Sequence, residues 1–428
     1  MALVYCADIG SSSLKAALID TAGFLHAVVR IPYGAAQDPA GRWLAAFFAA
    51  AEQLAAAVSR SGVSIPAAGA VVISGNGPTL VPVVETNGAL ESLVPVYWYE
   101  APLRIEYPGG NSPGGKFSGG YLPSFFLAKA EAFRKANPGS FAKLRYFFSP
   151  QEWLSWRLGA RPVTVLPHPA YENYYWDKTQ CAALGIEREL FPSFVTMGTV
   201  IGSLDPAACA AGQSSSSAVR GLLPPGIPIV AGASDFIMAL VGTGTLKDGA
   251  VCDRTGSSEG INLCITGSAK EVPGLRFLPG AAEGLWNLGA VITQSGKLFD
   301  DYRVSSGQTE KPHAALLREI LASPNHPGRP VLETMGRAFL NGLDNLEQSG
   351  RKIKELTLSG GQASDTRWNQ YKADISGRVL HLPEITDAEL AGNAILGAMA
   401  LEGGNLQEKA AAMIRIKTTF YPGDIITL

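Results

Sequence analysis

The sequence predicts an α/β protein made of two related domains, and two observations support that fold class. First, a β-rich run reaches Asp8, turns through Gly10 and three Ser residues, and continues into a second apolar run. A partial repeat of this strand-turn-strand pattern returns at residues 253–258. Second, the chain has 428 residues, which is too long for a single hydrophobic core.

The elements predicted from apolar spacing alternate in the same order in both halves. Three antiparallel strands, a helix and a buried parallel strand are predicted at residues 4–10, 14–20, 25–32, 38–59 and 68–74. Two helices, a buried strand and a further helix follow at residues 124–137, 150–158, 227–232 and 236–243. After a second hairpin from residue 249, helix and strand alternate again at residues 331–349, 355–358, 368–376, 378–382 and 388–401.

The composition narrows the class of protein. Hydrophobic residues make up 46% of the chain, charged residues 17%, and the formal net charge is -2. This balance indicates a globular enzyme and argues against nucleic acid or an anionic membrane as a partner. The Cys residues are scattered without a C-x-x-C pair, which predicts buried thiols in a reducing cytoplasm. Neither a signal peptide nor a membrane span is expected.

Both Gly/Ser turns contain the residue types that bind a phosphate chain. Gly lets the backbone approach closely, while Ser hydroxyls and successive N–H groups form an anion site. Asp8 and Asp253, which precede the turns, are positioned to hold Mg²⁺ directly or through water. Lys15 either neutralises phosphate charge or lies in solvent on its strand. Two ordinary hairpins in β-rich regions remain the alternative.

Asp235 follows a predicted buried strand and precedes a predicted helix. Its side chain should therefore open at the carboxyl end of a strand, where ligands bind in α/β sheets. A carboxylate there can accept a proton from a hydroxyl nucleophile. A helix N-cap is the alternative, with Ser234 an equally good cap, and the two roles can coexist.

Other catalytic patterns are missing from the sequence. The His residues are dispersed, with no pair at helical ligand spacing, and there is neither a G-x-S-x-G elbow nor a Walker P-loop. A metal other than Mg²⁺, a hydrolase triad and a P-loop are therefore not expected. Trp153 and Trp156, three residues apart on one predicted helix, are interpreted as core residues ahead of sugar-stacking residues.

Segments along nearly the whole chain match one family in order and spacing. They are residues 8–16, 74–78 (SGNGP), 95–100, 149–158 (SPQEWLSWRL), 232–244, 255–260, 356–382 and 389–397. On these segments the chain resembles the FGGY carbohydrate kinases, and within them the xylulokinase-like branch. The resemblance implies a two-domain, duplicated, actin-like ATPase (ribonuclease H-like) fold with an interdomain active-site cleft. It implies a sugar-binding domain at residues 1–242 and a shorter, adenosine-binding domain at residues 243–428.

The resemblance also implies cofactors and roles. ATP and Mg²⁺ would be the cofactors, Asp235 the catalytic base, and Asp8 and Asp235 the metal ligands. The nucleotide would contact Asp8, Ser11, Ser12, Ser13, Lys15, Thr255, Gly256, Ser257, Gly360, Gly361 and Gln362. The sugar would contact Asn76, Gly77, Trp98, Glu100 and Asp235. The helix at residues 389–397 would pack behind the adenine.

The expected activity is ATP-dependent phosphorylation of a small sugar or polyol, with ketoses such as xylulose as the leading class and a homodimer as a possible assembly. A catalytically weak paralogue that senses nucleotide or sugar is the alternative. Departures from the family pattern bear on substrate: Asn76-Gly77-Pro78 replaces Met-His-Gly, and Trp98-Tyr99-Glu100 replaces a Trp-Asn-Asp-like run. The chain is also short between Asp300 and Pro330.

Overall fold

The computed structural model describes residues 1–34, 40–60, 66–101, 105, 122–211, 217–256, 258–267, 272–293 and 295–424, without the side chains of 209–211. Ser257 and the predicted start of the first helix at residues 38–39 lie outside these ranges. The chain divides into two compact units, one comprising Met1–Met238 and Asn393–Asn405 and the other Ala239–Gly392 and Leu406–Leu428. No helix in the described ranges is long and apolar enough to cross a membrane.

The first unit is built on a mixed sheet in the order β10-β11-β4-β1-β2-β3. Its strands and those of two smaller sheets are β1 (Leu3–Ile9), β2 (Ser13–Asp20), β3 (Leu25–Pro32), β4 (Ala68–Gly75), β5 (Val81–Thr86), β6 (Ala89–Ser92), β7 (Leu144–Phe148), β8 (Thr164–Leu166), β9 (Phe194–Thr196), β10 (Val200–Ser203) and β11 (Pro228–Ser234). The helices that accompany these strands are α1 (Gly41–Arg60), α2 (Leu127–Ala136), α3 (Pro138–Phe141), α4 (Pro150–Arg157), α5 (Glu172–Tyr175), α6 (Lys178–Leu184), α7 (Pro206–Ala211), α8 (Ser217–Leu222) and α9 (Asp235–Gly242).

The second unit contains a sheet in the order β14-β15-β13-β12-β16-β17-β18. Its strands are β12 (Val251–Thr255), β13 (Glu259–Thr266), β14 (Arg276–Pro279), β15 (Leu285–Ile292), β16 (Glu355–Gly360), β17 (Val379–Pro383) and β18 (Ile416–Phe420). The helices in this part of the chain are α10 (Ser295–Ser305), α11 (His313–Ala322), α12 (Arg329–Glu347), α13 (Thr366–Ser376), α14 (Ala388–Glu402) and α15 (Leu406–Met413).

The two large sheets share one topology. In the first, the antiparallel strands β3, β2 and β1 are followed across the sheet by β4 and β11, which run parallel to β1. In the second, β15, β13 and β12 are antiparallel, and β16 and β17 continue parallel to β12. A long helix, α1 or α12, precedes the first parallel crossover strand in each case. The predicted duplication of an α/β unit is therefore confirmed.

Apolar faces of these long helices cover the sheets. In the first unit α1 buries Trp43, Phe47 and Leu54 at helical spacing. In the second, α12 buries Phe339, Leu343 and Leu346 in one cluster with apolar side chains of β13, β15 and β16. Trp153 is fully buried and its ring meets that of Trp43 edge-on, which confirms its interpretation as a core residue.

Helix α14 belongs to both units, since the division falls between Gly392 and Asn393. Its second part packs closely on β1, where a Cβ at Gly397 would collide with the Val4 side chain. Gly397 thus allows close contact between α14 and the first sheet. The expectation that residues 389–397 pack behind an adenine stays a prediction.

Candidate functional site

The carboxyl ends of three parallel strands of the first unit bring together several residues singled out by the sequence. Asp8 on β1 is in register with Ser74 on β4, and Ser234 on β11 is in register with Gly75. Asp235 follows directly as the first residue of α9. Because neighbouring strands lie about 5 Å apart, Asp8, the loop after β4 and Asp235 share one edge of the sheet. Ligands bind at such edges in α/β folds.

Asp8 is nearly buried, with 5% of its surface exposed, and a chain of hydrogen bonds orients it. Its Oδ1 accepts a bond of 2.8 Å from Ser74 Oγ. Ser74 Oγ in turn accepts one of 2.9 Å from Nδ2 of Asn393, which also donates to the Ala7 carbonyl. Asn393 therefore positions Asp8 through Ser74. Nothing in the local pattern around Asn393 signals this role, because its partners lie at the opposite end of the chain.

The first Gly/Ser turn is closed by a 3.0 Å bond from the Gly10 N–H to the Ser13 carbonyl. Ser11 and Ser12 are exposed, whereas Ser13 is buried. Lys15 lies directly opposite Asp8 in the β1–β2 register, so both side chains leave the same face of the sheet. The turn thus presents two accessible hydroxyls and places a cation on the face of Asp8.

Asp235 is half buried at the start of α9, and its Oδ1 accepts a 2.6 Å bond from the Phe236 N–H. The carboxylate therefore contacts the first turn of the helix through the next residue, which differs from the N2 or N3 bond of an N-cap. Its position at the sheet edge agrees with the place predicted for a base, and that role stays a prediction.

The loop after β4 is held by its own polar groups. Nδ2 of Asn76 donates to the Ile9 carbonyl at 3.1 Å, and its Oδ1 accepts a 2.7 Å bond from Thr79 Oγ1. This amide fixes the loop on β1. A Cβ on Gly77 would lie 3.3 Å from the Ser234 Cβ, so Gly77 brings the loop close to the strand before Asp235. The Gly77–Pro78 peptide bond is cis.

Gln151 is a residue of this region that the sequence did not single out. It is 3% exposed, and its Oε1 lies 2.8 Å from where a Cβ on Gly75 would be. No described residue donates a hydrogen bond to this oxygen. The SPQEWLSWRL match marked the helix, but only the fold shows which of its side chains meets the loop.

In the Trp-containing segment, the side chain that points into the protein is not one of those that the sequence predicts to contact the sugar. Trp98 is 45% exposed, and the exposed Glu100 accepts a 2.9 Å bond from the Tyr97 N–H of its own turn. Tyr97 is instead the buried residue, and its Oη accepts a 2.8 Å bond from Arg42 Nη2. Arg42 lies outside the matched segments, and Tyr97 lies within residues 95–100 but was not among the predicted sugar-binding residues.

A second edge lies at the ends of β12 and β16 in the second unit. Thr255 is in register with Gly360, and the Gly256 N–H donates to the Ser258 carbonyl at 2.9 Å. Nε2 of Gln362 lies 3.5 Å from the Gly256 carbonyl oxygen. These contacts bring together Thr255, Gly256, Gly360, Gly361 and Gln362. The Thr255 hydroxyl donates to the Ser359 carbonyl at 2.8 Å, so this hydroxyl and the Gly256 N–H both bond within the protein.

The two glycines after β16 have different surroundings. Gly360 has a φ of 89°, and a Cβ there would collide with the Thr255 carbonyl. It is therefore required by the backbone itself. At Gly361 no described atom lies within 4 Å of an added Cβ, so the space beside it is open. Open space beside a glycine turn suits a ligand.

Asp253 does not face this edge. Its carboxylate is 0% exposed, and Oδ2 pairs with Lys372 Nζ at 2.7 Å. Lys372 also pairs with Glu259 Oε1 at 2.6 Å, and Glu259 Oε2 accepts from Ser295 Oγ. Burial and the Glu259 charge raise the pKa of Asp253 to about 7, against the pull of Lys372. The prediction that Asp253 is positioned for Mg²⁺ is therefore wrong, because a buried lysine occupies the place of the metal.

Asp8 and Asp235 suit Mg²⁺ by their chemistry. Within the described ranges no group of three or more His, Cys, Asp or Glu residues could hold a metal ion. Mg²⁺ usually binds through one or two carboxylates together with water and substrate phosphates. Two carboxylates on one sheet edge match that requirement.

Comparison with known proteins agrees with this geometry. The model of the FGGY family of carbohydrate kinases, C-terminal domain, matches residues 317–401. An L-fuculokinase of Escherichia coli O157:H7 is 29% identical over 278 residues, which cover 56% of this chain and 56% of that enzyme. The chain thus matches about half the length of that relative.

Solved structures extend the likeness over the whole chain. The xylulose kinase from Rhodospirillum rubrum superposes with a TM-score of 0.73 at 17% identity, covering 98% of this chain and 94% of that one. Plasmodium falciparum glycerol kinase with ADP gives a TM-score of 0.74 at 12% identity, covering 99% and 94%. The fold is therefore the duplicated actin-like ATPase fold that these kinases share, and residues 317–401 match the C-terminal domain of the FGGY family of carbohydrate kinases.

Proposed function

We propose that the protein is an ATP-dependent kinase that phosphorylates a hydroxyl of a small sugar or polyol, with ketoses such as xylulose as the leading class. The observation that carries the proposal is the shared edge of β1, β4 and β11. The strand register brings Asp8, the loop at Asn76 and Asp235 to neighbouring strand ends there. The match of residues 317–401 to the C-terminal domain of FGGY carbohydrate kinases supports the same chemistry.

Asp235 acts as the base in this proposal. A sugar hydroxyl is a weak acid, so its attack on the γ-phosphoryl group is assisted by a carboxylate that accepts the proton. Gly77 brings the loop after β4, which we call the acceptor loop, close to the strand that ends beside Asp235. The hydrogen bond from the Phe236 N–H fixes one carboxylate oxygen. The other oxygen is the proton acceptor.

The nucleotide is assigned to both Gly/Ser turns. Asp8, Ser11, Ser12, Ser13 and Lys15 would contact phosphates from residues 1–242, which also bind the sugar through Asn76, Gly77, Trp98 and Glu100. Thr255, Gly256, Ser257, Gly360, Gly361 and Gln362 would contact the nucleotide from residues 243–428. Asp8 and Asp235 would hold Mg²⁺, which neutralises phosphate charge when bound.

A cytoplasmic location and a homodimer complete the proposal. Cys6, Cys181, Cys252 and Cys264 are free and buried, a state that suits a reducing compartment.

Replacing Asp235 by Asn tests the base. Asn keeps the size of the side chain and can still accept from the Phe236 N–H, but it cannot take the proton. Turnover with the best of a panel of ketoses and polyols should fall by about 10²–10⁴-fold, measured as ADP release. ATP affinity by calorimetry and the melting temperature should change little.

Asp205→Asn is the matched control, because Asp205 also accepts a backbone N–H, that of Ala207, in the same unit. It should keep wild-type turnover. Near wild-type turnover of Asp235→Asn would contradict the assignment of the base. Sugar or ATP binding by the wild type without any phosphorylation would instead favour the sensor alternative.

A further inference from the structure

Arg42 is a half-buried cation with little to compensate its charge. It is the second residue of α1, where the positive end of the helix dipole disfavours a positive side chain. Within the described ranges its guanidinium donates to one neutral oxygen, Tyr97 Oη, at 2.8 Å and pairs with no carboxylate. A cation–π contact with the Tyr33 ring compensates part of this charge, and no described carboxylate does so.

Two polar atoms beside this guanidinium lack partners. Nε of Arg42 and Oη of Tyr33 are buried and form no hydrogen bond with any described residue. The Arg42 Cζ lies 4.8 Å from the centre of the Tyr33 ring. Buried donors without partners are uncommon in folded proteins and are often completed by a bound molecule. We refer to Tyr33, Arg42 and Tyr97 as the Arg42 cluster.

The Arg42 cluster adjoins both the first phosphate turn and the acceptor loop. Tyr33 is tied to the turn by a 3.0 Å bond from its N–H to the Ser12 carbonyl. Tyr97 follows Val96, which pairs with Leu80 at the end of the acceptor loop. All of these residues belong to Met1–Met238.

We propose that the Arg42 cluster is an acceptor subsite that binds an sp² oxygen of the substrate, a ketose carbonyl or a sugar-acid carboxylate. This inference rests on the proposed kinase function. Arg offers only donors, and the neutral Tyr33 hydroxyl adds another. An oxygen that only accepts satisfies this set better than an alcohol, which also has a proton to donate. Charge-assisted bonds of this kind are strong and directional.

Three acceptors of equal chain length test the subsite: xylulose, xylonate and xylitol. The wild type should favour xylulose or xylonate over xylitol in kcat/KM. Arg42→Met should lower kcat/KM for the favoured acceptor by about 10–100-fold, mainly through KM. The KM for ATP and the values for xylitol should stay within about twofold. Arg42→Lys, which keeps the charge but loses the planar fork, should recover part of the loss.

Arg60→Met is the matched control, because Arg60 is the exposed last residue of the same helix. It should leave all values unchanged. An equal loss for all three acceptors, or a raised KM for ATP, would overturn the inference. Preference for xylulose identifies the carbonyl, and preference for xylonate identifies the carboxylate.

Calorimetry separates failure of the subsite from failure of the kinase proposal. If no acceptor is phosphorylated but xylulose or xylonate binds the wild type and not Arg42→Met, the subsite stands and the kinase proposal fails. If phosphorylation occurs and kcat/KM is the same in the wild type and Arg42→Met, the kinase proposal stands and the subsite fails.

Discussion

Asp8 and Asp253 occupy corresponding places in the two copies of the fold, yet their surroundings differ. Each lies on the first strand of its unit, near a Gly/Ser turn. Asp8 is oriented by neutral hydrogen bonds from Ser74 and, through it, Asn393. Asp253 is enclosed with Lys372 and Glu259 in an ionic group. In the first unit the acid at this strand is the one that we propose for ligand binding, whereas in the second unit it is buried in an ionic group.

The ionic group explains why Asp253 cannot exchange roles with Asp8. Lys372 reaches across from α13 to both strands of the β12–β13 hairpin, so its ammonium joins the two arms on either side of the turn. Its Nζ also lies 4.6 Å from the centre of the Phe339 ring. One cation faces two carboxylates in a region that water does not reach. Removing Lys372 leaves two buried carboxylates without a cation, whereas removing one carboxylate leaves a single ion pair.

Replacing Lys372 by Met should have the largest effect on stability, because it removes the cation of the ionic group around Asp253. Met keeps the volume but leaves the buried Asp253 and Glu259 without a cation. We expect a loss of about 3–5 kcal/mol in the free energy of unfolding, measured by urea denaturation. Lys297→Met removes an exposed lysine from a surface pair with Asp301 and should cost less than about 1 kcal/mol. Equal losses of unfolding free energy in the two variants would show that the buried ionic group stabilises the fold no more than a surface ion pair does.

Replacing Asn393 by Leu should have a smaller effect on stability and a larger one on activity. Loss of the amide leaves the Ala7 carbonyl without this donor and frees Ser74 to rotate away from Asp8. We expect a stability loss of about 1–3 kcal/mol, together with a fall in turnover at saturating ATP. Asn341→Leu, at an exposed position of α12, should change neither. Turnover that follows the folded fraction alone would contradict a positioning role for Asn393.

The smallest expected effect is a change in the pH dependence of stability. Because the folded-state pKa of Asp253 is raised from 3.8 to about 7, the folded protein holds a proton that the unfolded chain loses first. The contribution of Asp253 to stability therefore falls as pH rises from about 4 to 7. Asp253→Asn should flatten the curve of unfolding free energy against pH in this window. If the slope of this curve is unchanged in Asp253→Asn, the pH dependence of stability in this window arises from other groups.

Much of the fold was predictable because its signals are local. The strands around Asp8 and the crossover strand β4 have the alternation or apolar runs that sheets require, and their predicted bounds agree with the structure to within one residue. The edge that holds Asp8 and Asp235 follows from the rule for parallel strand ends, which needs only the element order.

The partners of those residues were not predictable from local pattern. Lys372 meets Asp253 across 119 residues, and Asn393 meets Ala7 across 386. No spacing rule links such positions. The same limit explains Arg42 and Tyr97, which meet across 55 residues, and the inward turn of Tyr97 in place of Trp98. The sequence predicts that an acidic side chain lies at the end of a strand, whereas tertiary packing decides which groups contact that side chain.

Helix α14 is divided between the two units at Gly392 and Asn393, and this division affects when the first unit can be completed during synthesis. Met1–Met238 leaves the ribosome long before Asn393–Asn405, which completes the same unit. At a synthesis rate of about 5–20 residues per second, this delay is roughly 10–30 s. During that time β1 lacks the helix that packs on Val4, and Ser74 lacks its amide donor. The unit whose synthesis begins first can therefore be completed only after Asn405 has been made.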